Sequence, residues 1–261
     1  MYIDYEVADG IATITLNRPE AANAQNMELL DELDAAWTEA ARDEDAKVIL
    51  LRAEGRHFSA GHDLNDGGWP APDKITLEWI YDAETRRYLD YSLRWRNVPK
   101  PSIAAVQGKC IAAGLMLCWP CDLIVAADDA QFSDPVVHMG IGGVEYHGHT
   151  WELGPRKAKE ILFTGRPLTA DEAEKVGMVN RVVPRADLDA QARELAAQIA
   201  EMPAFGLRQA KRAVNQTQDV QGFYAALQSV FDIHQTGHGN ALSVSGYPIL
   251  VKLDEMKARL K

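Results

Sequence analysis

Apolar and polar residues alternate along Tyr2-Ile-Asp-Tyr-Glu-Val7 and again along Ile11-Ala-Thr-Ile-Thr-Leu16, with Asp9-Gly10 between them. Period-two runs joined by Asp-Gly predict a β-hairpin. From Asn26 the period changes. Met27, Leu30, Leu33, Ala36 and Trp37 recur at spacings of three and four, which predicts an amphipathic helix. Val48-Ile-Leu-Leu51 then reads as a short buried strand. Residues 65–73 read as a mobile surface loop and 75–97 as a helix. Ser102–Val106, Leu123–Ala127 and Gln131-Phe132 read as further strands, with a helix starting near Ala113-Gly114. Residues 138–151 carry Gly, His and Trp without helical periodicity. Helices are predicted at 154–164, 170–177, 186–201 and 203–216, and a Gly-rich break at 237–246. Strands alternating with helices define an α/β core over about residues 1–200, followed by a helical region over 201–261.

Composition narrows the possibilities. The 261 residues carry 27 Lys and Arg against 38 Asp and Glu, a net charge of −11, with 47% apolar residues. This balance fits a globular chain and disfavours nucleic-acid and anionic-membrane partners. The apolar stretches near 110–121 and 123–127 are too short to span a bilayer. The three cysteines, Cys110, Cys118 and Cys121, are odd in number and lack a second pair for zinc, so they read as buried small hydrophobes. With no signal-like start, a reduced cytoplasmic protein is the expectation.

Two segments combine small residues with the end of a strand or the start of a helix: Phe58-Ser-Ala-Gly-His-Asp-Leu64 and Val106-Gln-Gly-Lys-Cys-Ile-Ala-Ala-Gly114. Small residues let a ligand approach main-chain N–H groups closely, and two such turns facing each other could hold a developing oxyanion. Read singly, each is equally a tight turn at a sheet edge. Segment 139–149 is the richest in titratable groups, with Glu145, His147 and His149 at alternate positions. A carboxylate in an apolar pocket could act as acid or base, with either histidine orienting it or passing a proton. Paired with Arg156 or Lys157, Glu145 would instead be a surface residue. The spacing Glu-x-His-x-His could also ligate zinc or iron, although it is not the helical His-Glu-x-x-His pattern.

Taken in order, Asn17-Arg-Pro19 with Asn23-Ala24, Phe58–Leu64, Pro99-Lys-Pro101, Ala104–Gly108, Ala112-Ala-Gly114 and Cys121-Asp122 resemble the crotonase, or enoyl-CoA hydratase/isomerase, superfamily. Leu162-Phe-Thr-Gly165 and Gly177-Met-Val-Asn180 continue the resemblance, which covers about residues 1–215. It implies a spiral of ββα units, a helical C-terminal region used in homotrimers or hexamers (dimers of trimers), and acyl-CoA thioester substrates. No separate cofactor and no metal are implied, coenzyme A being part of the substrate. The resemblance places the thioester oxygen on the backbone N–H groups of His62 and Ala113. It places Asn23, Ala24, Ala60, Gly61, Asp63, Leu64 and Gly114 along the coenzyme A path. Alanine at 113, where most relatives have glycine, narrows the approach. The two glutamates with which hydratases of this family handle water map to Met116 and Val136, neither of which transfers protons. Glu145, assisted by His147 or His149, is therefore the expected acid and base. It would serve isomerisation, hydration by another route, or hydrolytic or retro-Claisen cleavage. The rival expectation is a catalytically silent acyl-CoA binder. His234 and His238 lie in a tail unlike the family's, as candidates for the site or as decoration of the surface.

Overall fold

The computed structural model describes residues 1–64, 66, 68–71, 74–253 and 255. Part of the segment expected to be a mobile loop, residues 65, 67, 72 and 73, lies outside the described residues. Strands β1 (Ile3–Ala8) and β2 (Ile11–Leu16) form the hairpin. Helix α1 (Met27–Arg42) is capped by Asn26, whose side chain accepts from the Leu29 amide. It buries Leu29, Leu30, Leu33, Ala36, Trp37 and Ala40. Met27, expected on that face, is only half-buried, because the chain is still leaving the loop there.

Strands β3 (Val48–Ala53), β4 (Ser102–Val106), β6 (Leu123–Ala127) and β9 (Arg181–Val183) extend the hairpin into one sheet, in the order β1-β2-β3-β4-β6-β9. All pairs beyond the hairpin are parallel. Between these strands the chain dips into a second, three-stranded sheet made of β5 (Lys109–Ile111), β7 (Gln131–Ser133) and β8 (Leu168–Thr169). The rhythm is therefore a strand in the large sheet, a strand in the small sheet, then a helix. It runs β4-β5-α4 (Leu115–Cys118) and then β6-β7-α5 (His149–Thr164). The preceding turn has the same form: a single bridge from Ser59 to Cys110 follows β3 and leads to α2 (Leu77–Glu84) and α3 (Asp90–Arg96). A π-helical turn, Thr85–Leu89, joins α2 to α3, so the 75–97 helix exists with an irregular centre.

Both faces of the large sheet are covered, which explains its nearly unbroken apolar strands. Ile14, Leu16, Ile49, Leu51, Ala104 and Val106 pack with α1 on one face. Their alternate neighbours Ile11, Val48, Leu50, Ile103, Ala105 and Val125 pack against Leu188, Ala192 and Ala196 of α7 (Leu188–Ala200). Helix α6 (Ala170–Val176) opens with a full capping box between Thr169 and Glu172. All three cysteines are free and buried. No described helix is long and apolar enough to cross a membrane.

Helix α8 (Ala204–Val220) buries no residue and exposes Phe205, Val214 and Val220. Helix α9 (Phe223–Ser245) instead drives Phe223, Leu227 and Phe231 into the main core. It also runs straight through most of the expected break at 237–246. Gly237 and Gly239 sit where the helix meets its neighbours: a Cβ on Gly237 would lie 3.1 Å from Ile141 Cδ1, and one on Gly239 3.3 Å from Leu77 Cδ2. These glycines are contact points of a helix, not its end.

Beneath α8 a cavity of about 440 Å³ is lined by Arg96, Tyr146, Glu152, Lys211 and Phe223 among others. Burial pushes the Glu152 carboxyl up to about 7. Between the unfolded value of about 4.3 and that value, the folded chain holds a proton that the unfolded chain has lost. Stability therefore declines as pH rises through this window. Glu152→Gln is expected to abolish the decline, gaining on the order of 2 kcal/mol at about pH 8 and nothing at about pH 4, as read by urea denaturation.

Candidate active site

The two small-residue turns meet. Gln25 and His62 form a single parallel bridge, in which Gln25 N donates to Gly61 O (2.8 Å) and Asp63 N donates to Gln25 O (2.9 Å). That pattern uses the groups flanking His62, so the N–H of His62 itself faces away from Gln25. Gly61, at φ +89°, packs directly on the other turn. A Cβ there would lie 2.8 Å from Ile111 O and 3.4 Å from Ala113 N. Ala112 holds φ +48°, a left-handed conformation uncommon for alanine, and so turns the chain just before the Ala113 amide. Gly114 packs behind it, where a Cβ would lie 2.8 Å from Ser59 O.

His62 and Ala112 line a cavity of about 170 Å³ together with Glu84, Val136, Glu145 and His234. Glu145 is buried, not a surface partner of Arg156 or Lys157. Its Oε1 lies 3.1 Å from His62 Nε2, a hydrogen bond with the imidazole as donor, and 3.8 Å from His234 Nε2. Its Oε2 is buried without a partner among the described residues. The His62 ring stacks on Tyr88 at 4.0 Å between centroids, which fixes the ring beneath the carboxylate.

His147 and His149 go elsewhere. Neither lines the cavity. The two rings pack against each other at 4.3 Å with their planes tilted by 47°, and His149 meets Trp119 edge-on. His149 Nε2 lies 2.9 Å from Asp134 Oδ2 but is not aligned for a hydrogen bond. Asp134 is fully buried and accepts from the Val136 and Val144 amides. Burial raises its carboxyl, but His149 and these amides outweigh that and hold it below the usual range. His147 is pushed down to about 4 by burial and by His149 beside it. The pair thus pins the 134–144 loop from behind. Position 145 faces the cavity while 147 and 149 do not, because the chain is not extended here: Gly143 has φ +136° and α5 begins at His149.

Among the residues expected along the coenzyme A path, Leu64 is exposed and lines the cavity mouth. Asn23 is fully buried at φ 52°, and its side chain bonds Arg18 N, Glu54 O and His57 O, so it clamps its own loop. Asp63 pairs with Arg18 at 2.7 Å. Ala24 and Ala60 are half-buried and Gly61 is buried. Met116 is buried and does not line the cavity, whereas Val136 does.

The sequence reading undervalued three residues. Glu84 is buried and bonds His234 Nε2 (3.2 Å) and Gln235 Nε2 (2.7 Å). His238 Nε2 lies 3.1 Å from His234 Nε2 and 3.4 Å from Glu84 Oε1. Burial raises the Glu84 carboxyl, but the two histidines outweigh it and hold it well below the usual carboxylate range. Burial lowers His234, yet the Glu84 and Glu145 carboxylates push it up to about 9. The available signal was a His-x-x-x-His spacing, one helical turn apart, with Phe231 on the same side.

Residues 6–240 match the enoyl-CoA hydratase/isomerase family, and the chain belongs to it. Its strands and helices form the crotonase fold. The chain is 44% identical to a Mycobacterium tuberculosis protein named "Putative enoyl-CoA hydratase EchA13", over 94% of this chain and 83% of that one. It is 34% identical to the Escherichia coli 1,2-epoxyphenylacetyl-CoA isomerase, covering 82% of each. A crystal structure of a "probable enoyl-CoA hydratase" from Mycobacterium smegmatis superposes with a TM-score of 0.93 at 79% identity, covering 97% of this chain and all of that one.

Proposed function

We propose that the protein isomerises an enoyl thioester of coenzyme A by a one-carboxylate proton shift. In this reading the thioester oxygen sits on the His62 and Ala113 amides. Glu145 takes a proton from the α carbon of a β,γ-enoyl group, and negative charge develops on the thioester oxygen. The same carboxyl then returns the proton at the γ carbon, which moves the double bond to α,β. The observation that carries the reading is that the Glu145 carboxylate is bonded to the side chain of the residue whose backbone N–H the reaction would use. Base and oxyanion donor are thus fixed relative to one another within one cavity. Val136 presents an alkyl wall where the resemblance puts a water-handling glutamate, which supports proton transfer over addition of water. His62 orients Glu145; His147 and His149 support the loop. The resemblance also gives α8 a cover, a neighbouring copy of this chain in a homotrimer or dimer of trimers.

The test compares two reactions of the purified protein, conversion of 3-hexenoyl-CoA to 2-hexenoyl-CoA and hydration of crotonyl-CoA. Isomerisation is expected to exceed hydration by about two orders of magnitude, the usual contribution of one well-placed acid or base. Hydration as fast as isomerisation overturns the one-carboxylate reading. Binding of coenzyme A esters with no turnover of either would make the chain a silent acyl-CoA binder.

A further inference from the structure

We infer that Glu84, His234 and His238 form a binding site for one divalent transition-metal ion, open toward Glu145. The inference reverses the expectation of a metal-free protein, takes no ligand from the Glu-x-His-x-His segment, and stands independently of the thioester chemistry. It begins with the histidine tautomers. His234 Nδ1 lies 2.7 Å from Gly143 O and His238 Nδ1 lies 2.7 Å from Pro248 O. A carbonyl oxygen only accepts, so both Nδ1 atoms carry hydrogen. Each ring is oriented by its Nδ1–H, the arrangement that commonly holds a metal-ligating histidine in place. Both Nε2 lone pairs then point into the same space, 3.1 Å apart.

Two lone pairs at that distance repel unless something positive lies between them. Protons on both Nε2 atoms would serve Glu84 Oε2 at 3.2 Å and Glu84 Oε1 at 3.4 Å, but would set two cations 3.1 Å apart. One ion bonded by both Nε2 atoms and one Glu84 oxygen removes that repulsion. The two Nε2 atoms are 3.1 Å apart and each has a Glu84 oxygen at 3.2 or 3.4 Å, close to the edge of about 3.3 Å of a tetrahedron built on metal–ligand bonds of about 2.0–2.1 Å, and one oxygen of Glu84 lies within 4.8 Å of both nitrogens.

Charge points the same way. Glu84 and Glu145 are both buried, at 2% and 3% exposure, and no lysine or arginine is among the described residues lining the cavity. A divalent ion balances the two carboxylates while both imidazoles stay neutral. The open side of the site faces the cavity, where the second oxygen of Glu145 lacks a partner. Two imidazoles and a carboxylate suit zinc and ferrous iron, and not magnesium or calcium.

Zinc binding to tag-free, full-length protein stripped with a chelator tests this by calorimetry and elemental analysis. One equivalent per chain is expected, undisplaced by excess magnesium. Cobalt substitution is expected to give the intense visible bands of a low-coordinate, nitrogen-bound ion. His238→Asn should weaken zinc binding at least tenfold, while His57→Asn, away from the cavity, should leave it unchanged. Wild-type protein that takes up no zinc and shows no cobalt bands overturns the inference without any variant. So does wild-type affinity in a His238→Asn protein that circular dichroism shows to be folded. The triad would then be joined by one shared proton.

Discussion

Glu145→Gln is expected to lower isomerase turnover by about two to four orders of magnitude while leaving binding of a coenzyme A ester within about twofold. The substitution keeps the size of the side chain, and its remaining carbonyl oxygen can still accept from His62 Nε2, now 3.1 Å from Glu145 Oε1. It also leaves the His62 and Ala113 amides untouched, so the ground state should bind as before. What disappears is the ability to take the α proton. The expected signature is therefore a fall in kcat with an unchanged dissociation constant, measured by stopped-assay turnover and by calorimetry. Undiminished turnover would remove Glu145 from the reaction. An equal loss of binding and turnover would show that the carboxylate positions the acyl group and moves no proton. Because Glu84, His234 and His238 are unaltered, zinc uptake by the variant should persist, which separates this result from the fate of the metal site.

The elements that were legible in the sequence are those whose partners do not matter to their pattern. The β1–β2 hairpin announces itself by alternation and Asp9-Gly10, and α1 by its three-and-four spacing. The short strands β5, β8 and β9 carry two or three residues each and exist only because a neighbouring strand pairs with them. Local pattern says nothing about that. Helix α9 was hidden for the opposite reason. Gly237 and Gly239 weaken the local helical signal, but they are there to let the helix approach Ile141 and Leu77. Reading them as a break at 237–246 cut short the helix that carries His234 and His238 into the site. The error at His147 and His149 has a related source. Alternate residues share a side only in an extended chain, and the turn at Gly143 and the start of α5 at His149 destroy that register. The site thus draws its titratable groups from segments near 62, 84, 145 and 234, and only contact across the fold makes them neighbours.

Gly61→Ala is expected to destabilise the fold by about 2–4 kcal/mol and to lower turnover of the surviving folded protein by about two to three orders of magnitude. The stability loss has two parts. The residue holds φ +89°, and a left-handed conformation costs an alanine roughly 1–2 kcal/mol. The added methyl would also meet Ile111 O at 2.8 Å and crowd Ala112 Cβ and Ala113 N at 3.4 Å. Two of these three atoms are backbone and cannot rotate aside, so the 58–64 turn must retreat from the 111–113 turn. That retreat carries the His62 amide away from the Ala113 amide, and a carbonyl oxygen can no longer be held by both. Gly177→Ala separates the two parts. Gly177 has φ +85° at the end of α6, and a Cβ there would meet nothing within 4 Å. It should lose only the conformational share of stability, about 1–2 kcal/mol by urea denaturation, with turnover unchanged. If Gly61→Ala were as active per folded molecule as Gly177→Ala, the close packing of the two turns would be irrelevant to the chemistry. The thioester oxygen would then have to be held elsewhere.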